Sequence, residues 1–207
     1  MRANPDVVGT VIAGGRSLRF GGEKAAALLA GESLLSWAVR RLQRSCAAVA
    51  VNARPGTAAA ALATDAGLSV LHDVAGDPLG PLAGVRVALE WAEARGAKLL
   101  AVSPCDSPLL PESLFDELIA AARAANGAAM AVTDEGRQPL CAVWPVNALA
   151  RVREAIAAGA HPPTWRVLES VGAVPVNVGP AEAFANVNTR EDLAALAARF
   201  TSDTDRR

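Results

Sequence analysis

The sequence predicts an α/β fold in three layers, a mostly parallel sheet with an antiparallel edge and helices on both faces. Three observations carry this reading. Short β-rich runs alternate with amphipathic helical runs through most of the chain, the order that crossover units of a parallel sheet require. The run over residues 98–103, centred on Leu99-Leu100-Ala101-Val102, has the pattern of a buried strand. Asp134-Glu135-Gly136-Arg137 is turn chemistry set between two strand-like runs with no helix between them, so the chain reverses there and mixes the sheet near one edge.

Taken in order, residues 7–13 read as the first strand, and residues 34–42 place apolar side chains at helical spacing behind Ser33, a suitable N-cap. Residues 47–52 read as a second strand, 57–66 as an Ala-rich helix and 69–71 as a third strand. A Gly/Pro-rich stretch over 76–84 precedes a helix that ends near Ala94, and the fourth strand at 98–103 stops at Pro104. Pro111 is placed to open the next helix as its first residue, and Asn126-Gly127 to end it. Strands at 128–133 and 139–144 flank the turn. Helices over 148–157 and around 165–168, a strand at 174–178 and a closing helix over 191–199, capped by Thr189, complete the chain. Residues 1–200 are expected to form a single domain and residues 201–207 a frayed polar tail.

Charge and hydropathy narrow the partners. Lys plus Arg number 20 and Asp plus Glu 21, a net charge of −1 with no basic cluster, so nucleic acid is not an expected partner. Hydrophobic residues make up 52%, but they are mostly Ala, Val and Leu interrupted by charge or glycine, and no run approaches the roughly 18 residues of a membrane span. The N-terminal stretch lacks the long apolar region of an export signal, and the cytoplasm is the expected compartment. Cys46, Cys105 and Cys141 are odd in number and dispersed, which predicts reduced thiols rather than a disulfide or zinc site.

Chemistry concentrates after the first strand. Ala13 to Lys24 runs AGGRSLRFGGEK, bringing Gly14, Gly15, Gly21 and Gly22 together with Arg16, Arg19 and Lys24. Glycines let backbone N–H groups approach phosphate oxygens, and the cations neutralise them, so the segment is a polyphosphate cradle. It is neither a Walker loop, since Glu23 precedes Lys24 and Ala25 follows it, nor a dinucleotide fingerprint, since Gly14 and Gly15 are adjacent. The fourth strand delivers Cys105-Asp106-Ser107-Pro108, where Asp106 is a lone carboxylate suited to Mg²⁺, which takes one or two carboxylates together with substrate phosphates. Cys105 beside it reads as a packing residue. Asp73 and Asp77 lie after the third strand. Behind them Pro78-Leu79-Gly80-Pro81-Leu82-Ala83-Gly84 is a rigid, side-chain-poor edge suited to a base or ribose.

AGGRSLRFGGEK, GPLAGV, SPCDSP, QPLCAVW and FANVNTREDL stand in the order seen in molybdenum cofactor guanylyltransferases, and the chain resembles that family from Val7 to about Leu196. The resemblance implies a Rossmann-like sandwich of the nucleotide-diphospho-sugar transferase kind. It also implies transfer of GMP from GTP to the terminal phosphate of molybdopterin, with or without bound molybdenum, and release of pyrophosphate. Ile12, Ala13, Gly14, Lys24, Asn52, Asp73 and Asp106 match positions that bind GTP, and Asp106 also matches the magnesium ligand. Gly15, Gly80, Pro81 and Leu82 join the nucleotide set from the loop reading; Lys24, Asp106 and Arg19 are the expected catalytic groups. Asn186 and Asn188 match paired asparagines on the acceptor side. Transient contact with other enzymes of molybdenum cofactor biosynthesis, or with acceptor enzymes, is a further implication.

Two departures stand out. Phe20 occupies a position where family members often carry Met. His161-Pro162-Pro163 replaces a more basic stretch, which leaves Arg137 and Arg166 as alternative anion contacts. His72 and His161 are expected to be structural or at the surface. No general base is needed, because a phosphate monoester with its second pKa near 6 is already ionised at pH 7. Two other readings stay open: a CTP-dependent transferase acting on the same pterin or on a sugar-alcohol phosphate, and a non-catalytic module that holds nucleotide or cofactor.

Overall fold

The computed structural model describes residues 4–15, 20–77, 80–159 and 162–204, with side chains described as far as residue 198. Arg16, Arg19, Pro78, Leu79 and His161 lie outside the described residues. One seven-stranded sheet organises the chain. Its strands are β1 (Asn4–Ile12), β4 (Cys46–Asn52), β5 (Ser69–Leu71), β6 (Leu99–Pro104), β7 (Ala129–Thr133), β8 (Gly136–Pro145) and β9 (Val174–Asn177), in the spatial order β5-β4-β1-β6-β8-β7-β9. A two-stranded hairpin, β2 (Leu28–Leu29) with β3 (Glu32–Ser33), stands apart from it.

Alternation of side chains along each strand feeds two cores, one on each face of the sheet. Val7 and Val11 of β1 and Leu99 and Ala101 of β6 face one way. They meet helices α1 (Leu34–Gln43), α2 (Ala58–Asp65) and α4 (Leu114–Ala125), whose Leu42, Ala63 and Phe115 are fully buried. Val8, Leu100 and Val102 face the other way, against α3 (Pro81–Ala94), α5 (Leu149–Ala157) and α6 (Thr164–Ser170), with Trp144 at the centre. A third, smaller cluster of Phe20, Leu29, Leu34, Val187 and Leu196 fastens the β2–β3 hairpin to the last helix, α7 (Arg190–Thr204).

Local chemistry accounts for the element ends. The Ser33 hydroxyl accepts from the Ser36 amide at 3.1 Å, and the Thr57 hydroxyl accepts from Ala60, caps worth about 1 kcal/mol each. Asn126 ends α4 in the left-handed conformation, at φ 48°. Pro111 does not open that helix, which begins at Leu114: Leu114 N–H bonds back to the Pro111 carbonyl, a turn that spends the proline ahead of the helix. The Gly/Pro stretch is shorter than expected, because Pro81 takes the first position of α3 and the following residues wind into it. The turn into β8 is also tighter, since Gly136 already pairs with Thr133 and leaves Asp134-Glu135 as the loop. The β2–β3 hairpin, turning on Ala30 and Gly31 at positive φ, lay unread in the sequence because two-residue strands carry no periodicity. The last helix runs to Thr204 and so takes in part of the stretch expected to be a frayed tail.

The reversed strand is β8, and it lies inside the sheet rather than at an edge: it pairs antiparallel with β6 on one side and with β7 on the other. The hairpin sets its direction, and the returning chain then adds β9 parallel to β7, so both rims are parallel pairs. Among the described residues no helix is long and apolar enough to cross a membrane.

Candidate active site

The strand order changes direction at β1. The crossovers to β4 and β5 go to one side, and β6 lies on the other. Open α/β sheets bind ligands beyond the carboxyl ends of their strands at such a reversal. Here those ends are level, because register pairs Leu71 with Asn52, Asn52 with Ile12 and Ile12 with Pro104, one row across four parallel strands. Above that row opens a cavity of about 590 Å³.

Of the residues singled out in the sequence, Ile12, Ala13, Gly14, Gly15, Lys24, Asn52, Asp73, Gly80, Pro81, Asp106 and Asn188 all line this cavity. Arg19 lies outside the described residues. Leu82 does not line it: α3 has begun one residue earlier, and the second position of that helix points into the core, where Leu82 is 7% exposed. Asn186 does not line it either. Its Oδ1 accepts from the hydroxyl of Ser107, the residue after Asp106, at 2.6 Å. The two asparagines therefore differ in kind, since Asn188 reaches the cavity and Asn186 supports its wall.

The polar centre is a cluster from three distant segments. Lys24 Nζ donates to Asp106 Oδ2 at 2.8 Å and to Asn188 Oδ1 at 3.2 Å. Lys24 starts a single turn of 3₁₀ helix (Lys24–Ala26) that closes the glycine loop, so its stem is fixed while its head reaches Asp106. Asp106 is held from both sides. Its backbone carbonyl accepts from Val187 N–H at 2.8 Å, and two residues on, the Pro108 carbonyl accepts from both terminal nitrogens of Arg41, at 3.3 and 3.2 Å. Burial lowers the pKa of the Arg41 guanidinium from its ordinary value, and nearby Glu112 opposes that shift.

Across the cavity, Asn52 is 2% exposed and joins the floor to the wall. Its Nδ2 donates to Asp73 Oδ1 at 2.8 Å and to the Leu71 carbonyl at 3.3 Å. Cys105 lines the cavity with its thiol pushed up to about 12, by burial and then by Asp106 with Lys24 opposing, which makes it a packing residue rather than a nucleophile. His72 has a backbone role, its Nδ1 lying 2.7 Å from the Ala53 carbonyl. Arg137 and Arg166 stack on the Trp165 ring, and Arg137 also pairs with Glu169 at 2.9 Å; neither lines the cavity.

Ala25, Arg54, Pro104 and Leu140 line the cavity without having been assigned to it from the sequence. Leu140 enters because β8 bulges: its pairing with β7 jumps from Ala142 to Gln138, and residues 139–141 are left unopposed. The cue was Pro139 at the start of a strand-like run, a residue that removes a ladder hydrogen bond. Arg54 lines the cavity from the turn after β4. Its cue was a cation just beyond the carboxyl end of a strand.

Comparison with known proteins agrees with this geometry. Residues 9–176 match the family model of the MobA-like NTP transferase domain. The molybdenum cofactor guanylyltransferase of Cereibacter sphaeroides is 35% identical over 200 residues, covering 94% of this chain and 97% of its own. That of Rhodobacter capsulatus is 37% identical over 191 residues, covering 91% and 93%. In fold, the chain matches the crystal structure of molybdopterin-guanine dinucleotide biosynthesis protein A from Archaeoglobus fulgidus with a TM-score of 0.77 at 22% identity, over 94% of this chain and 99% of that one. It also matches 4-diphosphocytidyl-2C-methyl-D-erythritolsynthase from Anaerococcus prevotii with a TM-score of 0.72 at 12% identity, over 94% and 96%. With a glycine-edged cavity at the sheet's reversal point and relatives of this closeness along nearly its whole length, the chain belongs to the MobA-like NTP transferase family, among the molybdenum cofactor guanylyltransferases.

Proposed function

We propose that the protein transfers GMP from GTP to the terminal phosphate of molybdopterin and releases pyrophosphate. One observation carries the reading: Lys24, Asp106 and the edge formed by Ala13, Gly14 and Gly15 converge on a single cavity at the carboxyl ends of β1 and β6. That arrangement serves a polyanionic donor. The 35% and 37% identity to relatives named as guanylyltransferases supports guanine as the base, over the diphosphocytidyl synthase that shares the fold at 12% identity.

The oxygen that attacks the α-phosphorus is already ionised at neutral pH, so the site has no need of a base. What it must supply is alignment and charge. Lys24 supplies a cation, and in the free protein its charge is balanced by Asp106. Donor phosphates draw the ammonium off the carboxylate, which frees Asp106 at the same moment. Asp106 and Asp73 both line the cavity, and among the described residues no cluster of three metal-binding side chains exists. This donor set fits Mg²⁺, which binds through one or two carboxylates plus substrate phosphates. Asp106 would hold the ion; when bound, it neutralises charge on the phosphate oxygens. Asn188, held to Lys24, is the residue we assign to the acceptor side. We place the reaction in the cytoplasm, in keeping with three unpaired, buried cysteines.

Incubation with molybdopterin, Mg²⁺ and each nucleoside triphosphate in turn tests the proposal, with pyrophosphate as readout. Release with GTP alone is expected. Release with CTP and not GTP would replace the donor, and no release with any donor would leave a binding module.

A further inference from the structure

Among the arginines whose side chains are described, Arg54 is the one with no partner. Arg40, Arg44, Arg86, Arg123, Arg137, Arg151 and Arg153 sit in ion pairs. Arg95, Arg166 and Arg190 lie over aromatic rings, and Arg41 holds the Pro108 carbonyl. Arg54 is nevertheless not on a loose segment. The preceding Ala53 donates its N–H to Leu71 and accepts from His72, while the Arg54 carbonyl accepts from the Thr57 hydroxyl at 2.7 Å. The backbone on both sides is tied down, and an unpaired guanidinium stands exposed at the rim of the site.

Its position is specific. Arg54 borders the main cavity and also a second recess of about 340 Å³ that is edged by Gly21, Gly22 and Thr57. The two spaces share Ala13, Gly15, Lys24, Ala25 and Arg54, so they meet along the glycine loop. Glu23 also borders the recess, but its carboxylate is engaged, accepting from the first amide of α2, Ala58 N–H, at 2.6 Å. Among the described residues that line the main cavity the charges are Asp73, Asp106, Lys24 and Arg54, two of each sign. Lys24 is shared with Asp106 and Asn188, which leaves Arg54 as the uncommitted cation among those described residues.

We propose that Arg54 grips the β- and γ-phosphates of the donor, the part that departs as pyrophosphate, in the recess beyond Lys24. This rests on the nucleotidyl-transfer reading above. In the step itself the acceptor phosphate oxygen bonds to the α-phosphorus and the bond from α-phosphorus to the bridging oxygen breaks. Its electron pair goes to pyrophosphate, and Arg54 stays protonated while it balances the charge gathering there. A planar guanidinium presents paired N–H donors to phosphate oxygens, a geometry that lysine does not reproduce.

Calorimetric titration of the full chain with GTP, GMP and pyrophosphate, each with Mg²⁺, tests this in wild type, Arg54→Ala and Arg54→Lys. Arg54→Ala is expected to weaken GTP and pyrophosphate about ten- to a hundredfold, the range for losing hydrogen bonds to a charged group. GMP should stay within about twofold, because a contact to the terminal phosphates has nothing to hold in it. Arg54→Lys should recover part of the loss, and an unchanged melting temperature shows that the variants fold. Equal losses for GTP and GMP, or no loss for GTP, would overturn the assignment while wild-type GTP binding leaves the nucleotidyl-transfer reading standing. Wild type that binds no nucleoside triphosphate would end both.

Discussion

Asn52 shares its carboxamide among four neighbours, with Nδ2 on Asp73 and Leu71 and Oδ1 beside the space that a Cβ at Gly14 or Gly84 would take. Glycine inside a helix costs about 1 kcal/mol relative to alanine, and Gly84 sits in α3 all the same. The reason is space: a Cβ there would overlap Asn52 Oδ1 and lie 2.9 Å from its Cγ and 3.1 Å from Ile12 Cδ1. Gly84→Ala is therefore expected to cost about 1–3 kcal/mol in urea unfolding and to weaken GTP binding, because Asn52 must leave Asp73. Unchanged stability would mean that the carboxamide has room to spare. Asp106→Ala should cut transfer by a hundredfold or more, with an intact circular dichroism spectrum, since its side chain is 25% exposed and fills no core. Pyrophosphate release at the wild-type rate would remove Asp106 from the mechanism. The thiols make a third residue-scale test. Burial raises Cys46 and Cys105 from 9.0 to about 12 and drives Cys141 up as well. A thiol reagent at pH 8 should react quickly only after denaturation. A thiol pKa raised by folding means that the unfolded chain ionises first, so the thiols' contribution to stability is present below pH 9 and lost as pH rises from there towards 12.

At the scale of elements, the start of α7 links a helix cap to the site. Asp192 accepts from the amides of Asn188 and Thr189, at 2.8 and 2.9 Å, and the Thr189 hydroxyl accepts from Asp192 N–H, a reciprocal cap. Those two amide bonds, Asn188 first, hold the Asp192 carboxyl below its ordinary 3.8. The sign follows from that depression: the cap stabilises above pH 3.8 and is lost as pH falls through the lower folded value. The protection of the Asn188 and Thr189 amides, their exchange measured against the intrinsic rate at each pH, should fall across that acidic window in wild type, and should already be low and nearly flat with pH in Asp192→Ala. Matching pH profiles in the two proteins would contradict the cap. Because Asn188 also accepts from Lys24, loosening this turn reaches the cation of the site. The β8 bulge is the other element with a consequence, since regular pairing through residues 139–141 would deny Leu140 its place on the cavity wall.

For the whole molecule, a single sheet runs through both cores, so damage to one face is transmitted to the other through shared strands. Trp144 on β8 is fully buried among Leu100, Val152 and Leu168. Trp144→Ala should cost about 3–5 kcal/mol, and urea unfolding followed by circular dichroism and by tryptophan fluorescence should shift as one coincident transition. Two separated transitions would mean that β7, β8 and β9 melt apart from the β1–β6 half.

What the sequence by itself determined here is local in origin. Strand and helix order, the Ser33 and Thr189 caps, the Asn126 stop and the chemical character of the glycine loop each depend on a few adjacent residues whose spacing or turn preference is written in the chain. Packing decided the rest. Lys24, Asp106 and Asn188 meet across 82 and 164 residues of sequence. Of two asparagines one residue apart on either side of Val187, only Asn188 enters the cavity. The placement of β8 inside the sheet and the unpaired state of Arg54 belong to the same class. These depend on register and on which surfaces exclude water from one another, and such choices are made between segments far apart in the chain.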